Sequence, residues 1–431
     1  MSYNITHQMK KLLILSSIIL TLAAIFYISP SNQTTTIATT PTSKPKVLLT
    51  SWLDLDSGGI ATFVLSLAQS ELNDHFEIAV AAPETSDVYK ACNQLGIKTY
   101  PCTFPFKFKK LAKILPASKV LRNILKDYQP DIVHTSGSHD RTLVAWNSLL
   151  LEKKPSVIQT CHCTKVVSKD PYHWFFYNKL IDANMFISTS AFKINTEKKG
   201  LKLNNVYIIE NAVDLKKFQP TPKNSTLQEQ LGIPKNYFVF GSNAGLQGCK
   251  RIDIMLDALT LFPPDSPFKV IALGHDPQPW IEKAKSMGVD HFLIFPGFQE
   301  DVRPFCGLFD VGFILSSRTE SSSFASREML AMGIPLISSF FSGLKDNVDN
   351  HINGVFVEPG NAQDVYNAMN FFLNMPTSEL EEYKKNARLK AERCFDSKTQ
   401  LQAIANLYKN MLEKKSIKQN TSTPITAIAY Q

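Results

Sequence analysis

The sequence predicts an α/β protein built from two doubly wound domains facing each other across a cleft, with a hydrophobic anchor ahead of them. Three observations predict it. The chain has 431 residues, enough for two ordinary domains. From Val47 onward, short apolar runs of strand type alternate with amphipathic helical stretches, and the series occurs twice. A polar connector from Gln219 to Lys235, carrying Pro220, Pro222 and Pro234, separates the two series.

Residues 1–11 form a polar flank ending in Lys10-Lys11, and residues 12–28 are an uncharged apolar run. That run is at the short end of the roughly 17–25 residues that span a bilayer. It also suits a signal-peptide core, but no clear small-residue cleavage site follows. The expectation is an uncleaved, single-pass, type II-like membrane segment, followed by a Ser/Thr/Pro-rich stem at 29–46. The positive flank places the N-terminus inside; which side of the membrane carries the catalytic part stays open.

The first domain is expected over 47–218. Its strands are Val47–Trp52, Phe76–Ala82, Ile97–Pro101, Asp131–His134, Val157–Gln159, Ala183–Ile187 and Val206–Glu210. The linker is 219–236. The second domain, 237–395, has strands at Tyr237–Gly241, Phe268–Leu273, Phe292–Phe295, Val311–Leu315, Pro335–Ile337 and Gly354–Val357. Helices Ala362–Leu373, Ser378–Cys394 and Ser397–Glu413 finish the fold, and 416–431 reads as a loose tail.

The net charge of +8 is modest and spread out. No basic stripe with interleaved aromatics argues for nucleic acid. Seven cysteines are scattered; a Cys92–Cys102 disulfide is one available pairing. Cys161-His162-Cys163 is too tightly spaced for a zinc knuckle. Asp54-Leu55-Asp56 has the look of a metal-binding acid pair, but no acidic partner can be placed near it, so no metal is expected.

The most informative stretch is Ser316 to Gly343. Glu320 and Glu328 lie eight positions apart across a strand end, a polar turn and a helix start, with Ser321, Ser322 and Ser323 as cap candidates. Free backbone N–H groups at a helix N-terminus favour a phosphate. Ser322, Ser323, Phe324 and Ala325 are placed to cover a diphosphate, Glu328 to accept from ribose hydroxyls, and Glu320 to hold sugar hydroxyls. A pair of acids on a solvated helix start is the plainer alternative. The position between two apolar strands argues against it, because ligands of open α/β sheets bind at strand carboxyl ends.

The order of Asn211-Ala212-Val213-Asp214, Lys250, Leu273-Gly274, Pro296-Gly297-Phe298, the two glutamates, Gly333-Ile334-Pro335, Gly343 and Asn353-Gly354 resembles the retaining glycosyltransferases of family four, group 1. The resemblance covers roughly residues 46–415 and is strongest over 206–360. It implies a GT-B fold of two Rossmann-like domains, with the last helix, 396–415, crossing back onto the first. It implies transfer of a sugar from a UDP- or GDP-linked donor to a glycan or lipid hydroxyl, with no cofactor and no metal. The transfer would proceed on one face of the sugar, the leaving phosphate oxygen taking the acceptor's proton. His162 and Glu320 would be the catalytic pair. Gly58, Gly59, Lys250, Arg251, Gly274 and Phe298 would join residues 321–325 and Glu328 on the donor, with His134 and His139 on the acceptor side.

The chain departs from the family where an arginine usually precedes the lysine by five or six positions; Gly245 and Ala244 stand there. Arg251, Arg318 and Arg327 are the candidate replacements. Asp346 stands for a further glutamate near Gly343. The missing charge motivates a second reading, a catalytically weak relative serving as a binding or scaffold subunit. A periplasmic solute-binding protein, also two α/β domains behind a signal sequence, is the third.

Overall fold

The computed structural model describes residues 43–53, 58–105, 111–162, 167–196, 201–318 and 320–421. The apolar run at 12–28, the stem up to residue 42, the acids at 54–56, Cys163 and the tail from residue 422 lie outside the described residues. Residues from Lys44 onward form one compact unit that includes both domains. Among the described residues no helix is long and apolar enough to cross a membrane.

The first domain is a seven-stranded parallel sheet in the order β3-β2-β1-β4-β5-β6-β7. Its strands are β1 (Lys46–Thr50), β2 (Glu77–Ala82), β3 (Lys98–Pro101), β4 (Ile132–Thr135), β5 (Ser156–Cys161), β6 (Ala183–Phe186) and β7 (Val206–Ile208). Every expected strand is present, with ends shifted by one or two residues. The period-two pattern explains the two cores. Val47 and Leu49 face one layer, and Leu48, between them, faces the other.

The second domain is a six-stranded parallel sheet in the order β10-β9-β8-β11-β12-β13. Its strands are β8 (Phe238–Ser242), β9 (Phe268–Leu273), β10 (Leu293–Gly297), β11 (Val311–Ile314), β12 (Leu336–Ser339) and β13 (Gly354–Val357). In both sheets the order reverses beside the first strand of the domain, at β1/β4 and at β8/β11. That reversal opens a crevice at the strand carboxyl ends.

The linker holds a short helix, Ser225–Gln230, capped by the Asn224 side chain. The last helix runs Ser397–Thr421, so the expected loose tail begins later than 416. Ile404, Leu407, Tyr408 and Met411 of that helix join the core of the first domain. The crossover is pinned where Val213 N donates to Phe395 O at 2.9 Å and Ser397 N donates to Val213 O at 3.1 Å. Cys92 and Cys102 are separate buried thiols, not a disulfide; burial pushes them up to about 11 and about 12.

Candidate active site

A cleft of about 390 Å³ lies between the two sheets' carboxyl edges. The first domain contributes Gly58, Gly59, Ile60, Thr62, His162, Ile187 and Asn211; the second contributes Lys250, Gly274, Phe298, Glu320, Ser321 to Ala325, and Glu328. A larger depression of about 660 Å³ sits at the outer edge of the first sheet, lined by Lys44, Gln69, Leu95 and Lys98 among others. None of the candidate residues borders it; they gather in the cleft instead.

The donor side is built around the helix Phe324–Ala331. Its cap, Ser323, has φ 55°, a left-handed conformation unusual for a residue with a side chain, and its hydroxyl accepts from Ser326 N. The loop ahead of it is pressed from behind. A Cβ on Gly343 would lie 1.7 Å from Ser321 O, so only glycine fits there. Ser188 Oγ donates to Ser321 O at 2.7 Å and Asn211 Nδ2 donates to Ser322 Oγ at 2.9 Å, both from the first domain. Gly274, with φ +153°, lets its loop approach Leu246 closely; a Cβ would meet the Leu246 nitrogen at 2.7 Å.

The two glutamates differ in their surroundings. Glu320 Oε2 accepts from Lys250 Nζ at 2.7 Å and from Ser316 Oγ at 2.9 Å. Glu328 Oε2 accepts from Asn243 Nδ2 at 2.7 Å. Burial pushes the Glu328 carboxyl up to about 7, a rise that the Asn243 bond and the Lys217 charge only partly oppose. The half-buried Glu328 therefore titrates near neutrality, whereas Glu320 is held in an ion pair.

Lys250 ends a 3₁₀ turn, Gly248–Lys250, just ahead of the helix Ile252–Leu259. Among the described residues lining the cleft it is the sole lysine, and no arginine is with it. Arg251 was expected on the donor and does not line the cleft. Asp253 holds its guanidinium through both carboxylate oxygens, and it donates to Ser317 Oγ at 3.2 Å. Arg318 is exposed. Arg327 is fully buried and turned toward the domain junction. None of the three takes the place of the missing arginine.

The three histidines separate. His162 follows β5, lines the cleft, and packs edge-on against Phe63 at 4.8 Å. Its Nε2 is buried and has no hydrogen-bond partner among the described residues. Burial holds its imidazole down at about 3, so it is neutral at ordinary pH. His134 was expected to face the acceptor but lies wholly inside the first domain. One ring nitrogen meets Tyr408 Oη at 2.7 Å, and the other meets Thr160 Oγ1 at 2.6 Å. That network fastens the last helix to β4. His139 packs on Trp52 at 4.2 Å and is not part of the cleft lining.

Sequence reasoning missed Asn243 and His275, and it named Asn211 as a landmark without giving it a place in the site. His275 stacks on Phe298 at 4.2 Å and 11°, both rings lining the cleft. Its place beside Gly274 was a usable signal. Asn243 carries no local signal, because its partner Glu328 lies 85 positions further along the chain. Asp346, whose role was open, accepts from Ser190 N at 3.1 Å and Ser190 Oγ at 2.9 Å, tying the domains together.

With this geometry in place, two family models match consecutive parts of the chain. "Glycosyltransferase Family 4" matches residues 57–217 and "Glycosyl transferases group 1" matches residues 223–390. The chain belongs to the family four, group 1 glycosyltransferases. A curated relative from Escherichia coli, UDP-Gal:alpha-D-GlcNAc-diphosphoundecaprenol alpha-1,3-galactosyltransferase, is 25% identical over 374 residues, 81% of this chain and 94% of the relative. A glycosyltransferase structure from Rickettsia africae ESF-5 superposes with TM-score 0.75 at 19% identity, covering 86% of this chain and 99% of that one. Anabaena HepE, in complex with UDP and glucose, superposes with TM-score 0.71 at 20% identity, covering 84% and 99%. The fold is GT-B and the protein is a glycosyltransferase. Neither the scaffold reading nor the solute-binding reading is favoured by family membership.

Proposed function

We propose that this glycosyltransferase transfers a sugar from a nucleoside diphosphate donor, UDP-linked in preference to GDP-linked, to a hydroxyl of a glycan or lipid-linked acceptor, with retention at the anomeric carbon and without a metal. The observation that carries the reading is the convergence of Lys250, Glu320, the 321–325 helix start and Glu328 on one cleft wall. The preference for uridine draws on HepE, seen with UDP, and on the galactosyltransferase relative, named for UDP-Gal.

The division of labour follows from the contacts. Backbone N–H groups at the helix start and the Lys250 ammonium face the diphosphate and stabilise the charge that develops as the sugar–phosphate bond breaks. Glu328 accepts from the ribose hydroxyls. The stacked Phe298–His275 pair supplies a flat apolar surface for the base. Glu320, steadied by Lys250 and Ser316, and the neutral His162 orient the transferred sugar. The acceptor oxygen attacks the anomeric carbon on the face the diphosphate leaves, and its proton passes to the leaving phosphate oxygen. Metal independence is supported by the occupation of both lining glutamates, one with Lys250 and one with Asn243. The membrane segment at 12–28, and attachment through it, is part of the same proposal and rests on sequence alone.

The test is donor hydrolysis and thermal shift with UDP-, GDP- and ADP-sugars, with and without EDTA. UDP release unchanged by EDTA, with the anomeric configuration kept in the product, is expected. No shift with UDP or GDP and no nucleotide release would sink the reading.

A further inference from the structure

We propose that Arg327 is a positioning residue for the donor, locking the phosphate-facing loop and the ribose-facing Glu328 to the junction of the two domains. The proposal rests on the nucleotide-sugar reading above. Arg327 and Glu328 are neighbours on one helix, so they point in directions about 100° apart. Glu328 faces the cleft, and Arg327 faces away from it with no exposed surface. A charged group is costly to bury unless each polar atom is met.

The partners of Arg327 come from three separate segments. Nη2 donates to Glu210 Oε2 at 2.7 Å, Nη1 donates to Asn211 O, and Nε donates to Asn347 Oδ1 at 3.0 Å. The guanidinium also stacks on Phe395, 4.1 Å from the ring centre, at the crossover to the last helix. Glu210 and Asn211 end the first domain, and Asn347 follows β12.

Two of those partners also hold the donor loop. Asn211 Nδ2 donates to Ser322 Oγ at 2.9 Å, and Asn347 Nδ2 donates to Ser322 O at 2.6 Å and to Ser326 Oγ at 2.7 Å. Arg327 and Ser322 therefore share Asn211 and Asn347. Moving the guanidinium releases the Asn347 side-chain amide that holds Ser322 O and the backbone carbonyl of Asn211, whose side chain holds Ser322 Oγ. Core packing alone would be met by an apolar side chain at this point of the helix. The fork of Arg327 instead reaches both domains and the crossover at once, which a lysine cannot copy.

Arg388 provides a control. It donates to Ala331 O at 2.6 Å, at the far end of the same helix, and to Phe218 O at 2.9 Å, but shares no partner with Ser322. The experiment uses the full chain, comparing wild type, Arg327→Lys and Arg388→Ala by UDP binding, thermal melting and steady-state kinetics with donor varied. Arg327→Lys is expected to lower donor kcat/KM by on the order of ten- to a hundredfold and to weaken UDP, with acceptor KM within about twofold. Arg388→Ala is expected to lower the melting temperature and leave the UDP affinity of the folded protein unchanged. Should Arg327→Lys fold poorly, Asn347→Ser replaces it, with the same expected loss. Melting temperatures that fall in both variants with UDP affinity and donor kcat/KM intact overturn the proposal. A wild type with no UDP affinity overturns the donor reading itself, and this one with it.

Discussion

The two walls of the cleft are built in different ways. The second-domain wall takes most of its functional groups from one short stretch, Glu320 to Glu328, with Lys250, Gly274 and Phe298 added from loops that follow neighbouring strands. The first-domain wall gathers isolated residues from Gly58, His162 and Asn211, far apart in the chain. Of the candidates named from sequence on the second wall, only the three arginines, Arg251, Arg318 and Arg327, fell outside the cleft lining. Of three candidate histidines on the first wall, only His162 reached it. A site made by a helix start and its flanking loop is local, so the sequence that builds the element also builds the site. A site made by the ends of several strands depends on which strands are neighbours.

The largest expected effects test the local wall. Lys250→Ala and Glu320→Ala should each lower kcat by roughly a hundred- to a thousandfold, the size of losing one charge-stabilising group. UDP affinity in Glu320→Ala should stay near wild type. Measuring kcat and UDP affinity in both separates the diphosphate from the sugar. A slight loss in both variants would reduce the Glu320–Lys250 pair to a structural contact.

Next in size is Glu328→Ala, expected to cost about 1.5–3 kcal/mol of UDP affinity, the worth of a hydrogen bond to a charged group. A pH series sharpens this. The free carboxyl titrates at about 7, and ribose hydroxyls favour its ionised form. UDP affinity should therefore rise as pH increases through about 7, with release of a proton on binding. Glu328→Gln should remove that dependence. Calorimetry in two buffers of different ionisation heat reads the proton directly.

On the scattered wall, His162→Ala should reduce donor kcat/KM with little change in stability. His134→Asn should do the reverse, lowering stability by about 1–3 kcal/mol through its buried partners Tyr408 and Thr160. Both imidazoles are held down at about 3 in the fold against an ordinary value near 6.5. The unfolded chain binds more protons between those values, so stability is full above about 6.5 and falls as pH drops below it. His134→Asn should flatten that fall. The smallest effect is expected from Arg251→Ala, whose guanidinium serves Asp253 and Ser317: UDP affinity within about twofold, by thermal shift.

The architecture was legible in the sequence because it rests on local periodicity. All thirteen strands follow the alternation of apolar runs, and Phe268–Leu273, Gly354–Val357 and Ala362–Leu373 fall on the expected residues. The end of the last helix was missed because Ser416 to Thr421 has weak apolar periodicity and continues from packing that lies upstream. Cys92 and Cys102 were open to pairing on spacing alone; Cys92, on the helix Asp87–Gln94, and Cys102, just past the end of β3, are buried as separate thiols.

By itself the sequence determined the doubly wound plan, the donor segment with its two glutamates, and the lack of an arginine ahead of Lys250. Those are properties of neighbours in the chain: periodicity, helix-start chemistry and residue order. Only the tertiary structure decided that Glu320 pairs with Lys250, that Asn243 faces Glu328, and that His134 belongs to the core. It alone turned Arg327 from a candidate phosphate ligand into the bolt at the domain junction. Each of those outcomes joins residues from about 70 to more than 270 positions apart. Such pairings are set by which strands lie side by side and by how the last helix returns. Periodicity along the chain carries no information about either.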